Sequence, residues 1–220
     1  GTDGATAYAL RSRLDRREGD DFLERLHELT LWETRDFPAG HPYHNVVAMP
    51  DDSPLPPIWL LGSSDYSAEL AAQVGMGFAF AHHFATHDAI AAMTNYRAHF
   101  KPSGWRATPQ SILAVAVVAA DTDAEAEQLA LSMDLNRLRR DRGQYLPLPS
   151  VEEAEAYPYT DAERASIARN RARLFVGSPA TVMAKLEPLI AASQADELMV
   201  ITAVYDHAAR KKSYSLLAEA

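Results

Sequence analysis

Pro57-Ile-Trp-Leu-Leu-Gly-Ser-Ser-Asp-Tyr-Ser67 compresses a complete strand-to-helix transition into one short stretch. Ile58 to Leu61 is an unbroken apolar run, Gly62 and two serines end it, and a helix is predicted from about Asp65 to Val74. The run lacks inside–outside alternation, which marks a strand covered on both faces, as in parallel sheets flanked by helices. The same rhythm recurs downstream. Gly77 to Ala81 is followed by His82-His83-Phe84 and a helix near 87–100, and Ser111 to Ala119 by a helix from Thr122 to about Arg140. Glu197 to Ala203 precedes a closing helix over His207 to Ala218. The class is therefore α/β, with four strands near 58–62, 77–82, 111–119 and 197–203 expected as parallel neighbours in sequence order. A closed (β/α)8 barrel takes about 250 residues and eight strands, and four parallel strands cannot close on themselves. These units read either as a small doubly wound sheet or as the back half of a barrel.

Upstream, the first 35 residues look helical. Thr2 or Asp3 can cap a helix to about Arg16, and Gly19-Asp20-Asp21 introduces a second carrying Phe22, Leu26, Leu29 and Trp32. Between Asp36 and Pro57 stand six prolines (38, 42, 50, 54, 56, 57) around a β-like patch, Asn45 to Met49, which reads as an ordered loop or hairpin excursion. Thr122 with Glu125, and Thr160 with Glu163, have capping-box spacing, the second opening a helix to about Phe175. Ser178-Pro179 starts another, with Ser as cap and Pro at the first helical position. The whole chain, 1–220, is expected to be one domain.

Composition narrows the function classes. The 220 residues carry 21 Lys plus Arg against 30 Asp plus Glu, a net charge of −9, and no cysteine. Nucleic-acid binders draw most of their affinity from a basic surplus, which is lacking here. Disulfides, thiolate metal sites and Cys nucleophiles are excluded. The longest apolar run, Ile112 to Ala120, falls well short of the roughly 20 residues a membrane helix needs. The expectation is an acidic, soluble, cytoplasmic protein without a secretory leader. The opening Gly1-Thr2-Asp3-Gly4 reads like the middle of a loop.

Two places invite chemistry. After the first strand, Gly62, Ser63, Ser64 and Ser67 put hydroxyls and helix N-terminal amides where a phosphate can sit, with the glycine allowing close backbone approach. The rival reading makes Ser64 simply the cap of the helix at Asp65. After the second strand come His82 and His83, at the end of a parallel strand where α/β folds keep ligands and catalysts. On an extended backbone the two rings point to opposite faces, a poor arrangement for a shared metal, so one is a candidate for a polar substrate or cofactor contact. His41 and His44 read as surface residues. The Arg137, Arg139, Arg140 and Arg142 cluster reads first as a solvated helix end, and Asp206 as a cap. The hydrolase elbow, zincin, Walker and dinucleotide motifs are all missing.

Residues 57–67 resemble the luciferase-like flavin monooxygenase family, the bacterial luciferase superfamily. So do Phe-Ala-Phe-Ala (78–81), Ala-Ala-Asp-Thr-Asp-Ala-Glu-Ala (119–126), Val-Gly-Ser-Pro-Ala-Thr-Val (176–182), and Asp-Glu-Leu-Met-Val with Asp-His-Ala-Ala-Arg in 196–210. The similarity is greatest to its group 1, alkanal monooxygenase-like members and runs nearly end to end. It implies the later part of a (β/α)8 TIM barrel, strands 5 to 8 with their helices. It also implies FMN at the barrel mouth, its phosphate held by Ser64 and Ser67 with Gly62 and Ser63 contributing backbone. Reduced flavin and O2 would act on a small organic substrate. His83 is then a pocket contact, and no catalytic residue or metal is assigned, since the family's catalytic histidine lies in the first four strands. A flavin reductase and a homodimer paired through helical faces are the implied partners; the faces bearing Tyr8, Leu10, Leu14, Phe22, Leu26 and Leu29 are candidates for that contact, a core role being the rival reading. A deazaflavin (F420) hydride-transfer enzyme and a non-catalytic flavin binder or inactive fragment are the alternatives.

Overall fold

The computed structural model describes residues 22–50 and 53–220; the helix expected over 2–16 lies outside them. The chain gathers into two compact units, 1–56 and 57–220.

In the first unit, helix α1 (Phe22–Thr34) ends where Arg35 turns into the left-handed region at φ 61, its amide bonding Leu31 O at 2.9 Å. The following loop is organised by aromatic rings. Phe37, only 4% exposed, meets Trp32 edge-on at 4.8 Å, stacks on His41 at 4.8 Å and meets Tyr43 at 5.8 Å. His44 Nδ1 lies 2.7 Å from Phe37 O, so this histidine ties the loop together. The β-like patch at 45–49 forms no strand. Val46 and Val47 are exposed, and prolines at 42 and 50 flank the segment.

The second unit alternates strands and helices. Its elements are β1 (Trp59–Gly62), α2 (Asp65–Val74), β2 (Gly77–Ala81), α3 (Ala89–Ala98), β3 (Ser111–Ala119), α4 (Asp123–Asp141), α5 (Val151–Ala156), α6 (Asp161–Arg171), β4 (Leu174–Gly177), α7 (Pro179–Ser193), β5 (Glu197–Ile201) and α8 (His207–Ala218). Every strand pairing is parallel. The four expected strands are neighbours in the expected order: β1 pairs β2, β2 pairs β3 and β3 pairs β5. A fifth strand, β4, was not expected. The α6 helix stops at Arg171 rather than near Phe175, and Leu174–Gly177 pairs with Ala116–Ala119. The four-residue apolar run is too short to stand out behind a charged helix. A short helix, α5, likewise emerges inside the acidic, Pro-interrupted segment, capped by Ser150.

Register explains how β3 serves three partners. β5 pairs with Ile112–Ala116 and β2 with Ser111–Ala114, so these two take opposite edges. Ala116 pairs with both β4 and β5, which puts β4 on the β2 edge, continuing where β2 stops. Phe78, Phe80, Leu113, Val115 and Val117 share one face and are fully buried. The other face carries Ala79, Ala81, Ala114 and Ala116, flanked at the sheet's margins by Leu61, Met199 and Ile201, exposed at 69%, 53% and 39%. β5 is thus not covered on both faces as its apolar run suggested.

Helix starts follow the sequence signals. Thr160 and Glu163 form a complete capping box, and Glu163 also meets Arg142 at 2.7 Å. These contacts lower the Glu163 pKa to about 2, mainly through the Thr160 amide and hydroxyl. Thr122 accepts the Glu125 amide, but only half of that expected box forms, because Glu125 turns toward Lys212 at 4.0 Å. The arginine cluster is structural: Arg139 meets Glu153, Arg142 meets Glu163, and Arg137 meets Asp141 four residues on. Asp206 caps α8 through the Ala209 amide.

Tyr96 holds the amino ends of two strands. Its buried hydroxyl lies 2.9 Å from Met76 O and 3.1 Å from Gln110 O, and accepts the Gln110 amide at 3.1 Å. Tyr96→Phe strands these backbone groups away from water and is expected to cost about 1–3 kcal/mol. A lowered urea midpoint with an unchanged slope checks this.

Candidate functional site

The carboxyl ends of parallel strands present helix N-termini and loops together, and in open α/β sheets and barrels this is where ligands bind. Three turns meet there. The first follows β1. Ser64, in extended conformation, caps α2 by accepting the Ser67 amide, and Ser67 Oγ accepts the Ser64 amide at 3.3 Å while donating to Ser64 O at 2.7 Å. The two serines therefore form a reciprocal capping box. Ser67 is folded directly under Gly62, where any Cβ would come within 2.0 Å of Ser67 Oγ. Glycine at 62 is what lets the turn close.

This geometry divides the serine roles. The Ser67 hydroxyl is spent inside the turn. The Ser64 hydroxyl accepts the Ser67 amide at 3.4 Å and lies 3.4 Å from Ser67 Oγ, and Ser63 carries a further hydroxyl on the same turn. The amides of Asp65 and Tyr66 are first-turn donors that helix geometry leaves without an intrahelical acceptor. The Asp65 carboxylate, in the first turn of the helix, lies 3.6 Å from His87 Nδ1. The donor set is that of an oxoanion site, with the positive end of the helix dipole behind it.

The second turn follows β2. The strand ends at Ala81, and His82–Phe84 forms a single 3-10 turn, so the alternation expected of extended backbone does not apply. His83 Nδ1 lies 3.2 Å from Ala114 O, closing the turn over β3, and its ring meets Phe84 edge-on. His82 is half-buried beside Phe175 of β4. Burial, then Arg173, then His83 lower its pKa below the ordinary 6.5, with Asp88 opposing, so its imidazole is neutral at pH 7. The sequence pattern pointed to this turn but not to Arg173, since nothing placed β4 next to the histidines.

The third turn joins β4 to α7 and is already filled. Asp123, from the first turn of α4, accepts the Ser178 amide at 2.6 Å and the Thr181 hydroxyl at 3.1 Å. Gly177, at φ 149, allows the approach; a Cβ there would lie 2.8 Å from Asp123 Oδ1. The protein's own carboxylate occupies this helix end. Among the described residues, no three His, Asp or Glu side chains gather as a metal site. No described helix is long and apolar enough to cross a membrane.

A family model described as luciferase-like monooxygenase matches residues 7–196. A luciferase-like monooxygenase of Escherichia coli K12 is 35% identical over 218 residues, covering 98% of this chain and 63% of that protein. The crystal structure of apo-MsnO8 superposes with a TM-score of 0.80 at 34% identity, over 93% of this chain and 61% of that one. At 22% identity and a TM-score of 0.61, the fold is shared with the oxygenating constituent of 3,6-diketocamphane monooxygenase of Pseudomonas putida, solved with FMN, over 100% of this chain and 68% of that one. The chain spans about three-fifths of the length of the curated relatives it matches.

The Asp123 link has a pH signature. The Ser178 amide and the Thr181 hydroxyl hold its pKa below the ordinary 3.8. A carboxylate with a depressed folded pKa contributes stability that is full above its unfolded value and lost as pH falls through the folded one. Asp123→Ala is expected to lower the melting temperature most at pH 6–7, the gap to wild type closing below about pH 4. Melting curves across pH check it; a gap independent of pH would show that the charge is not the cause.

Proposed function

The chain belongs to the luciferase-like monooxygenase family, and from that premise we propose that it is the later part of a flavin-dependent monooxygenase that binds FMN at the carboxyl ends of its strands. The observation that carries the reading is the unfilled N-terminus of α2, in contrast with the filled N-terminus of α7. At α2 the Asp65 and Tyr66 amides, the Ser63 hydroxyl and the Ser64 hydroxyl converge on one turn whose acid, Asp65, pairs with His87. A dianionic phosphate monoester suits that donor set.

In this reading Gly62, Ser63, Ser64 and Ser67 form one unit with separate duties. Ser63 and Ser64 bind the phosphate, Ser67 locks the turn from beneath, and Gly62 makes room for Ser67. The alanines at 79, 81, 114 and 116 keep the adjoining face of the sheet shallow, with exposed Leu61 at its margin for a flat apolar ring to lie against. His83, fixed through Nδ1, is left with Nε2 for a polar contact in the pocket. When bound, reduced flavin supplies the electrons with which O2 is activated toward a small organic substrate. The chain's contribution is to hold the phosphate, orient the ring through that anchor and limit water at the strand ends. Further strands alongside β1 and β5 would complete a (β/α)8 barrel in which β1, β2, β3 and β5 are strands 5 to 8. A reductase delivering reduced flavin and a homodimeric assembly belong to the same proposal. Phe22, Leu26 and Leu29 on α1 are candidates for the dimer contact, a core role for this face being the alternative, and a monomer mass by light scattering of the full-length protein would remove the dimer.

The cofactor test compares FMN with riboflavin in the full-length protein. Ser63→Ala with Ser64→Ala should weaken FMN binding by about a hundredfold or more, the loss of two charge-assisted hydrogen bonds of roughly 1.5–3 kcal/mol each. Riboflavin, lacking the phosphate, should bind the variant as it binds the wild type. If the serines only cap α2, the variant loses about 1 kcal/mol of stability and the FMN-to-riboflavin preference stays unchanged. Flavin fluorescence quenching measures both affinities, and F420 binding in place of FMN would overturn the cofactor assignment.

A further inference from the structure

We infer that Arg173, reaching into the β2–α3 loop beside His82 and Phe175, anchors a singly charged oxoanion group, a carboxylate or sulfonate, on the organic ligand bound at the strand ends. That this ligand is the monooxygenase substrate rests on the function proposed above; the anion site itself does not.

The inference starts from charge pairing. Arg97, Arg137, Arg139, Arg142 and Arg171 each meet a carboxylate within 4 Å. Arg173 is half-buried, and among the described residues it has no such partner. Its bonds go to neutral groups: Nη1 donates to Ala85 O at 2.6 Å and Nη2 to Asn170 Oδ1 at 3.2 Å. A guanidinium has five donors, so three remain. A partly desolvated cation without a counter-charge is costly to hold, and in a chain of net charge −9 acidic side chains were abundant. Its place therefore suits an anion that arrives from outside.

The surroundings favour the same partner. Asp88 is the nearby acid, but its carboxylate caps α3, accepting the Ile90 amide at 2.8 Å and the Ala91 amide at 3.4 Å. His82, held neutral, adds a polar atom without a second charge, and its ring faces Phe175 at 6.0 Å to give an apolar wall. One charge, one neutral imidazole and an aromatic face match a monoanionic headgroup on an apolar body better than a dianion. The position also fits. Ala85, which fixes Arg173, lies on the loop that His87 ties to Asp65, at the helix end assigned to the flavin phosphate. The anchor and the phosphate turn border one another.

The test uses imidazole NMR on the flavin-free full-length protein, with hexanesulfonate and 1-hexanol as probes. Hexanesulfonate is expected to bind in a salt-sensitive way and raise the His82 titration midpoint, because the sulfonate offsets the repulsion from Arg173; 1-hexanol should do neither. Arg173→Gln should weaken hexanesulfonate by about tenfold or more, Arg173→Lys by much less, and Arg210→Gln at the exposed start of α8 not at all. Equal binding of the two probes by the wild type overturns the inference without recourse to any variant. So does wild-type affinity in a folded Arg173→Gln protein. FMN affinity is measured alongside. Sulfonate binding without FMN binding would end the flavin reading and leave the anion site; FMN binding without sulfonate preference would end only the anion site.

Discussion

Burial of β3 is the constraint on which the second unit depends. All nine residues of Ser111–Ala119 are buried, so none of their peptide groups can turn to water. An unpaired buried backbone group costs about as much as a lost hydrogen bond. Three strands and one helix meet this demand. β2 and β5 take the lower edges, and β4 takes over from β2 above Ala114. At the top, where pairing runs out, Ser213 Oγ on α8 accepts the Ala119 amide at 2.9 Å, and Thr202 Oγ1 donates to Val117 O at 2.8 Å. The length of β3 thus explains the fifth strand, the docking of the last helix, and the presence of Arg173 beside the histidines.

The same frame distinguishes two helix N-termini that look alike in sequence. Ser64 before α2 and Ser178 before α7 are both serine caps following a strand that ends in glycine. At α7, β3 delivers Asp123 into the turn, and that carboxylate takes the amide and hydroxyl that a ligand would need. At α2 the acid in the first helical turn is bound to the neighbouring loop instead. An internal anion makes one helix end structural; the proposed function gives the other an external one.

Much of this was legible from residues alone. Unbroken apolar runs at 77–81 and 111–119 identify buried parallel strands, the run at 58–61 identifies a parallel strand that leaves Leu61 exposed, and Ser64, Thr160 and Asp206 announce their helices, because capping is a local bond between near neighbours. The strand at 174–177 was hidden for the opposite reason: its pairing with β3 is non-local, and charged α6 runs almost up to it. Ser67 is ambiguous in a different way. Its spacing from Ser64 fits a shared anion site and a reciprocal cap equally well, and only the close approach to Gly62 shows where its hydroxyl goes. Arg173 had no sequence signal at all, since its meaning is the lack of an acid partner in space.

The two margins of the sheet carry the remaining argument. Among the described residues, β1 and β5 each have one paired edge, and next to their free edges Leu61, Met199 and Ile201 stand exposed on the alanine-lined face. Free edges beside apolar side chains invite aggregation, and proteins ordinarily blunt them with charge, proline or a covering element. Glu197 is the one charged residue in either strand. At about 25 cal/mol per Å2, covering three such side chains is a favourable term of a few kcal/mol. Closure by further parallel strands would satisfy the free backbone edges and cover these side chains in one step. It would also turn the shallow alanine face into the wall of an enclosed site, which is the setting a water-sensitive flavin reaction needs.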